Sequence, residues 1–147
     1  MRRTRSCEPR PVKGRGELFI DGASRGNPGP SGIGVVCFEE EKSPAWQLAK
    51  PIGLTTNNVA EYLALIYGLE EALSRGLRAV AVKTDSELLA RQVNGQYRVK
   101  DEWLKRLHAL AMQLRNRFND FQIQHIPREQ NRLADRLAGE AADRAVL

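Results

Sequence analysis

The sequence predicts an α/β fold in which helices pack against a mixed sheet, and three observations carry that prediction. Residues 17–51 hold three short stretches of β-branched and aromatic character, joined by connections too short for a crossover, which makes them antiparallel. Beyond residue 55, apolar residues recur at three-and-four spacing in separate blocks, as on one face of a helix. Two further alternating stretches lie between those blocks, so the order reads three strands, helix, strand, helices, strand, helix.

Glu17-Leu-Phe-Ile-Asp21 is the first strand, broken by the turn-forming run Gly22 to Pro30. Gly32 to Phe38 is the second, the charged segment Glu39 to Pro44 a turn, and Trp46 to Pro51 the third. Thr55-Thr-Asn-Asn58 offers capping side chains to a helix in which Tyr62, Leu65, Ile66, Leu69, Ala72 and Leu73 share one face, and Gly76 ends it. Valine-rich Leu77 to Lys83 forms the fourth strand, after which Asp85 or Ser86 caps a short helix. Trp103, Leu107, Leu110, Leu114 and Phe118 mark the core face of a longer helix. Phe121 to Ile126 alternates as the fifth strand, Pro127 to Gln130 breaks it, and Asn131 opens a final helix through Leu133, Leu137 and Ala141.

The chain has 147 residues, enough for one domain with a substantial core. Its 41% hydrophobic and 28% charged content is that of an ordinary globular mixture, and no apolar run approaches the ~20 residues of a membrane span. The net charge of +5 resides in residues 1–16, where six basic side chains stand against Glu8 alone, so a basic and disordered tail is expected ahead of a formally neutral domain over 17–147. Such a tail has no apolar core of a secretory signal, and it suits an arm that follows phosphates. Cys7 and Cys37 belong to no zinc spacing or disulfide framework, and low cysteine use fits a reducing cytoplasm.

Four acids stand out. Asp21 and Asp85 end strands, Glu61 lies one turn inside a helix, and Asp135 opens the last one, the latter two among small or apolar neighbours. Each alone reads as a turn former, a cap or a carboxylate favoured by a helix dipole. Together they become a site only if the fold brings them to one place.

Asp21-Gly-Ala-Ser-Arg-Gly-Asn-Pro-Gly-Pro30, Thr55-Thr-Asn-Asn-Val-Ala-Glu61, Thr84-Asp-Ser86 and His125-Ile-Pro-Arg-Glu-Gln-Asn-Arg-Leu-Ala-Asp135 resemble, in order, the four signature blocks of type 1 ribonuclease H. The resemblance covers the chain from about Glu17 onward. It implies a ribonuclease H-like fold, a five-stranded mixed sheet of three antiparallel strands followed by two parallel ones, flanked by helices. It also implies an endonuclease that hydrolyses the RNA strand of an RNA–DNA hybrid with two Mg2+ or Mn2+ ions, leaving 5′-phosphate and 3′-hydroxyl ends. A monomer without a membrane or obligate protein partner is expected.

By that resemblance Asp21, Glu61, Asp85 and Asp135 are the metal-binding carboxylates. Asp21 would bridge both ions, Glu61 and Asp85 would face the leaving group, and Asp135 the attacking water. Oxygen-only ligands suit such hard cations, and two of them about 4 Å apart can serve both oxygens of the displacement. His125 matches a loop histidine that assists proton transfer or product release in some members, and nearby Arg128 competes for that place. Gly22, Ser24, Asn27, Thr56, Asn57 and Asn58 match hybrid-contacting positions, with Asn27 and Thr56 suited to a DNA phosphate and Glu61 near a 2′-hydroxyl. Glu87 stands where some members have glutamine. The stretch from Asp85 to Trp103 leaves no room for the basic protrusion of some bacterial members, Gln96-Tyr-Arg-Val-Lys100 being a small remnant. Two rival readings are a weakly catalytic module binding hybrid or double-stranded RNA on the same fold, and another nuclease or integrase of the wider superfamily.

Overall fold

Alternation along the first two strands decides which way the sheet faces. Leu18 and Ile20 pair with Cys37 and Val35, and all four are fully buried. The residues between them point the other way. The computed structural model describes residues 15–40 and 42–145; the expected basic tail lies, up to residue 14, outside the described residues.

Strands β1 (Gly16–Ser24), β2 (Gly29–Phe38) and β3 (Trp46–Thr55) form an antiparallel meander, followed by helix α1 (Asn57–Ser74), strand β4 (Ala79–Thr84), helices α2 (Glu87–Val93) and α3 (Glu102–Arg115), strand β5 (Asp120–His125), a single 3-10 turn over Arg128–Gln130, and helix α4 (Arg132–Arg144). The sheet order is β3-β2-β1-β4-β5, with β4 parallel to β1 and β5 parallel to β4. This is the five-stranded mixed sheet expected. β1 and β3 are longer than the turn signals suggest. The ladder with β2 carries β1 through Gly22 to Ser24, where Ser24 faces Ser31, and carries β3 past Pro51 and Gly53 to Thr55, with an irregularity between Ser31 and Gly32. Cross-strand hydrogen bonding overrides the local tendency of glycine and proline to turn.

α1 covers one face with Tyr62, Leu65, Leu69 and Ala72, packed onto Leu18, Ile20, Val35, Val80 and Val82. Its cap is Thr56, whose hydroxyl accepts from the Val59 amide at 3.3 Å, and it stops before Gly76 at φ +89°. A buried Tyr62 hydroxyl donates to Gln92 at 2.6 Å and ties α1 to α2.

The core stripe of α3 matches the expected one at Leu107, Leu114 and Phe118 and differs at Trp103 and Leu110. Leu104, Ala111 and Leu114 are buried, whereas Trp103 and Leu110 are 54% and 44% exposed. The helix turns its narrow Leu-Ala-Leu side to the core, since a small side chain at position 111 permits close packing and the bulkier Trp103 and Leu110 do not fit there. Leu114→Ala is therefore expected to cost about 2–5 kcal/mol and Leu110→Ala under about 0.5 kcal/mol, measured by urea unfolding.

α4 covers the opposite face, and here alanines rather than the expected leucines are the most deeply buried residues. Ala134, Ala138, Ala141 and Ala142 are buried, while Leu133 and Leu137 are half-buried. The reason lies in β2. A Cβ on Gly32 would stand 2.4 Å from the Ala142 nitrogen, and one on Gly34 would stand 2.4 Å from the Ala134 oxygen. Helix backbone rests almost directly on strand backbone, and only alanine fits between them.

Candidate active site

Parallel pairing puts the first two acids side by side. Ile20 is in register with Thr84, so Asp21 and Asp85, each one residue further along, emerge together at the same end of neighbouring strands. Glu61 enters from α1, which begins with the Thr56 cap and crosses β1 at Gly22. The Gly22 amide donates to Glu61 Oε1 at 3.0 Å, and a Cβ at that glycine would lie 2.3 Å from the Ala60 carbonyl carbon. Side-chain oxygens of Asp21, Glu61 and Asp85 lie within 4.8 Å of one another.

Asp135 arrives by a separate route. The buried Asn131 side chain donates through Nδ2 to the Ile20 carbonyl at 2.8 Å, while the Asn131 main-chain carbonyl receives the Asp135 amide at 3.0 Å. One residue thus joins the strand just before Asp21 to the helix turn that presents Asp135. All four acids line a single cleft of about 620 Å³, together with Gly22, Ser24, Asn57 and Arg128.

Asp21 is 4% exposed, and burial, reinforced by the charges of Glu61 and Asp85, holds its carboxyl far above the usual carboxylate range. Burial and then Asp85 raise Glu61 likewise, opposed by the Gly22 amide, which favours the charged form. Carboxylates gathered at this density need a counter-charge. An all-oxygen donor set from three elements, with a fourth acid lining the same cleft, fits hard divalent cations such as Mg2+ or Mn2+.

Residues 19–141 match the family model described as reverse transcriptase-like. The chain is 41% identical to ribonuclease HI of Halobacterium salinarum over 90% of its own length and 66% of that protein's. The crystal structure of ribonuclease H1 from that organism superposes with a TM-score of 0.86, covering 90% of this chain and 100% of the other. The chain belongs to the type 1 ribonuclease H family.

Another ribonuclease H1, isolated from compost and crystallised in complex with an RNA/DNA hybrid, is 43% identical with a TM-score of 0.84 over 89% of this chain and 99% of that one. A bifunctional protein of Mycobacterium tuberculosis is 43% identical over 87% of this chain, which spans 35% of that relative's length.

The remaining residues expected of a ribonuclease H site fall into two groups. Gly22, Ser24 and Asn57 line the cleft beside the acids. Asn27 and Thr56 support that rim: Asn27 Oδ1 accepts from the Asn57 amide at 3.0 Å, the Ser24 hydroxyl donates to the Thr55 carbonyl at 3.1 Å, and Thr56 caps α1. Asn58 is exposed in the first turn of α1. Arg128 stands 3.7 Å from Asp135. His125, in register with Thr84 at the end of β5, is exposed and is not among the residues lining the cleft. Glu87 is exposed on α2 and paired with Arg91 at 2.8 Å.

Sequence reasoning missed Asn131 as the link between Asp21 and Asp135, and it missed Arg25 and Asp143, which meet across the cleft wall. Asn131 carried a weak signal as a helix-opening residue within the last block. For Arg25 and Asp143, 118 positions apart, no spacing rule connects them.

Proposed function

We propose that this chain is an endoribonuclease that hydrolyses the RNA strand of RNA–DNA hybrids, using two Mg2+ or Mn2+ ions and leaving 5′-phosphate and 3′-hydroxyl ends. The observation that carries the reading is the convergence of Asp21, Glu61 and Asp85 within 4.8 Å at the floor of a cleft that Asp135 also lines. The hybrid bound by the compost relative supports the substrate.

In this reading Asp21, Glu61, Asp85 and Asp135 hold the ions, which supply activation of a water and stabilisation of the departing oxygen. Asp21, 4% exposed, presents its carboxylate from the floor of the cleft. The Gly22 amide holds one Glu61 oxygen and leaves the other to face the cleft. Ser24, Asn27, Thr56, Asn57 and Asn58 form a polar rim of short side chains and backbone amides, suited to the shallow minor groove of a hybrid and its 2′-hydroxyls. Arg128 lies beside Asp135, where it can meet a phosphate as product leaves; His125 and Glu87 contribute at most from the periphery. Among the described residues no helix is long and apolar enough to cross a membrane.

Incubating the purified chain with matched RNA–DNA hybrid, duplex RNA, duplex DNA and single-stranded RNA, each with Mg2+, Mn2+ or chelator, tests the proposal. The expected result is metal-dependent cutting of the RNA strand of the hybrid alone. Binding without cutting in either metal would replace it with the binding-module reading.

A further inference from the structure

The seat of α4 on the sheet is unusually smooth. Ala134, Ala138, Ala141 and Ala142 lie over Gly32 and Gly34, with half-buried Leu133 and Leu137 beside them, so the helix approaches closely along a seam of small residues that offers few ridges to lodge in a groove. Such a contact resists separation far better than it resists sliding. Two polar contacts supply the missing register. At the N-terminal end Asn131 is bonded to Ile20. Toward the other end Arg25, on the turn between β1 and β2, donates through Nε to Asp143 Oδ1 at 2.8 Å and through one terminal nitrogen to the Gly139 carbonyl at 3.0 Å and Asp143 Oδ2 at 3.3 Å.

Gly139 takes part by having no side chain. A Cβ there would lie 3.0 Å from the Arg25 guanidinium, so glycine leaves open the space through which the arginine reaches the helix backbone. The pair is half-exposed, 51% and 63%, and an ion pair in that setting adds little to global stability. A fork-shaped guanidinium holding a carboxylate and a main-chain carbonyl on one helix nevertheless fixes direction as well as distance. Both walls of the acidic cleft meet at this contact, since Arg25, Gly139 and Asp143 line it together with Asp21 and Asp135.

We infer that Arg25 is a positioning residue, latching the β1–β2 turn to α4 so that Asp135 is held in register with Asp21, Glu61 and Asp85 for divalent-cation binding. The inference rests on the proposed function and adds to it a residue that touches neither metal nor scissile bond.

The test compares the wild-type chain with Arg25→Ala, Arg25→Lys, Asp143→Asn and Gly139→Leu. Each is measured by calorimetric titration with Mn2+ in the absence of hybrid, by kcat and KM on hybrid, and by thermal melting. Gly139→Leu keeps every charge and improves helix propensity while filling the arginine's path. The expected result is Mn2+ affinity weakened about 10-fold or more in Arg25→Ala, Asp143→Asn and Gly139→Leu, the usual consequence of losing a group that orients a metal ligand. kcat should fall with it, KM should stay close to wild type, Arg25→Lys should recover part of the loss, and melting should change little.

Wild-type Mn2+ affinity in Arg25→Ala or Gly139→Leu would overturn the latch. So would opposite KM changes, raised in Arg25→Ala and lowered in Asp143→Asn with metal binding untouched, because that pattern marks Arg25 as a phosphate contact restrained by Asp143. A wild-type chain that neither binds Mn2+ nor cuts hybrid would instead refute the proposed function, and the latch with it.

Discussion

Asp21→Asn is expected to slow hybrid cleavage by at least about 10²–10³-fold, the cost of removing one preorganised electrostatic group, while raising the melting temperature of the metal-free chain. Both effects have one origin. Asp21 is buried beside Glu61 and Asp85, and its carboxyl is held well above its unfolded value near 3.8. A carboxyl with a raised folded pKa binds more protons folded than unfolded, so stability declines as pH climbs from about 4 toward the folded value. Glu61, also raised, adds to the decline. In chelator, the wild-type melting temperature should therefore be lower at pH 8 than at pH 5, and Asp21→Asn should flatten that slope. Mn2+ should restore wild-type stability at pH 8 by binding the folded state and should help the variant far less. A fully active Asp21→Asn protein would overturn the carboxylate assignment.

Gly22→Ala is the second large effect expected, and it strikes fold and site together. The added methyl carbon would stand 2.3 Å from the Ala60 carbonyl carbon and 2.5 Å from both the Ala60 oxygen and the Glu61 nitrogen. Those are backbone atoms, so no side chain can swing aside, and α1 itself must back away from β1. The cost should reach the upper end of overpacking penalties, about 3 kcal/mol. The same displacement breaks the 3.0 Å bond from the Gly22 amide to Glu61 and draws that carboxylate out of reach of Asp21 and Asp85. Urea unfolding and hybrid cleavage, measured below the unfolding transition, should both register the change. A protein of wild-type stability would show that the crossing is looser than these distances imply.

Much of this architecture is written in local patterns. Leu18 and Ile20 alternate, Leu65 and Leu69 are four apart, and Thr56 and Ser86 cap the helices they precede, because each of those signals acts over a few residues. The four acids could be found for the same reason, each standing within a few residues of a readable boundary. Burial on α3 and α4 could not be read this way. It depends on what lies opposite: the bare backbone of Gly32 and Gly34 selects alanine over Leu133 and Leu137, and the fit of Ala111 leaves Trp103 outside. The extent of β1 through Gly22 depends likewise on a partner strand, through pairing with Ile33. Arg25 with Asp143, and Asn131 with Ile20, are contacts between residues more than a hundred positions apart, where pattern has nothing to say and only the folded chain does.

The rims of the sheet bear on how copies of this molecule treat one another. β3 forms one margin and contains Lys50, Pro51 and Gly53, the last at φ +80°, opposite the irregularity at Ser31 and Gly32. β5 forms the other margin, only six residues long, with Asp120, Gln122, Gln124 and His125 among them. A proline offers no donor, a left-handed glycine bends the strand, and a short polar strand gives a newcomer little to pair with. At high protein concentration neither margin is a good template for strand addition. Resistance to stacking into fibrils is thus written along β3 and β5, while the central strands remain free to carry the acids.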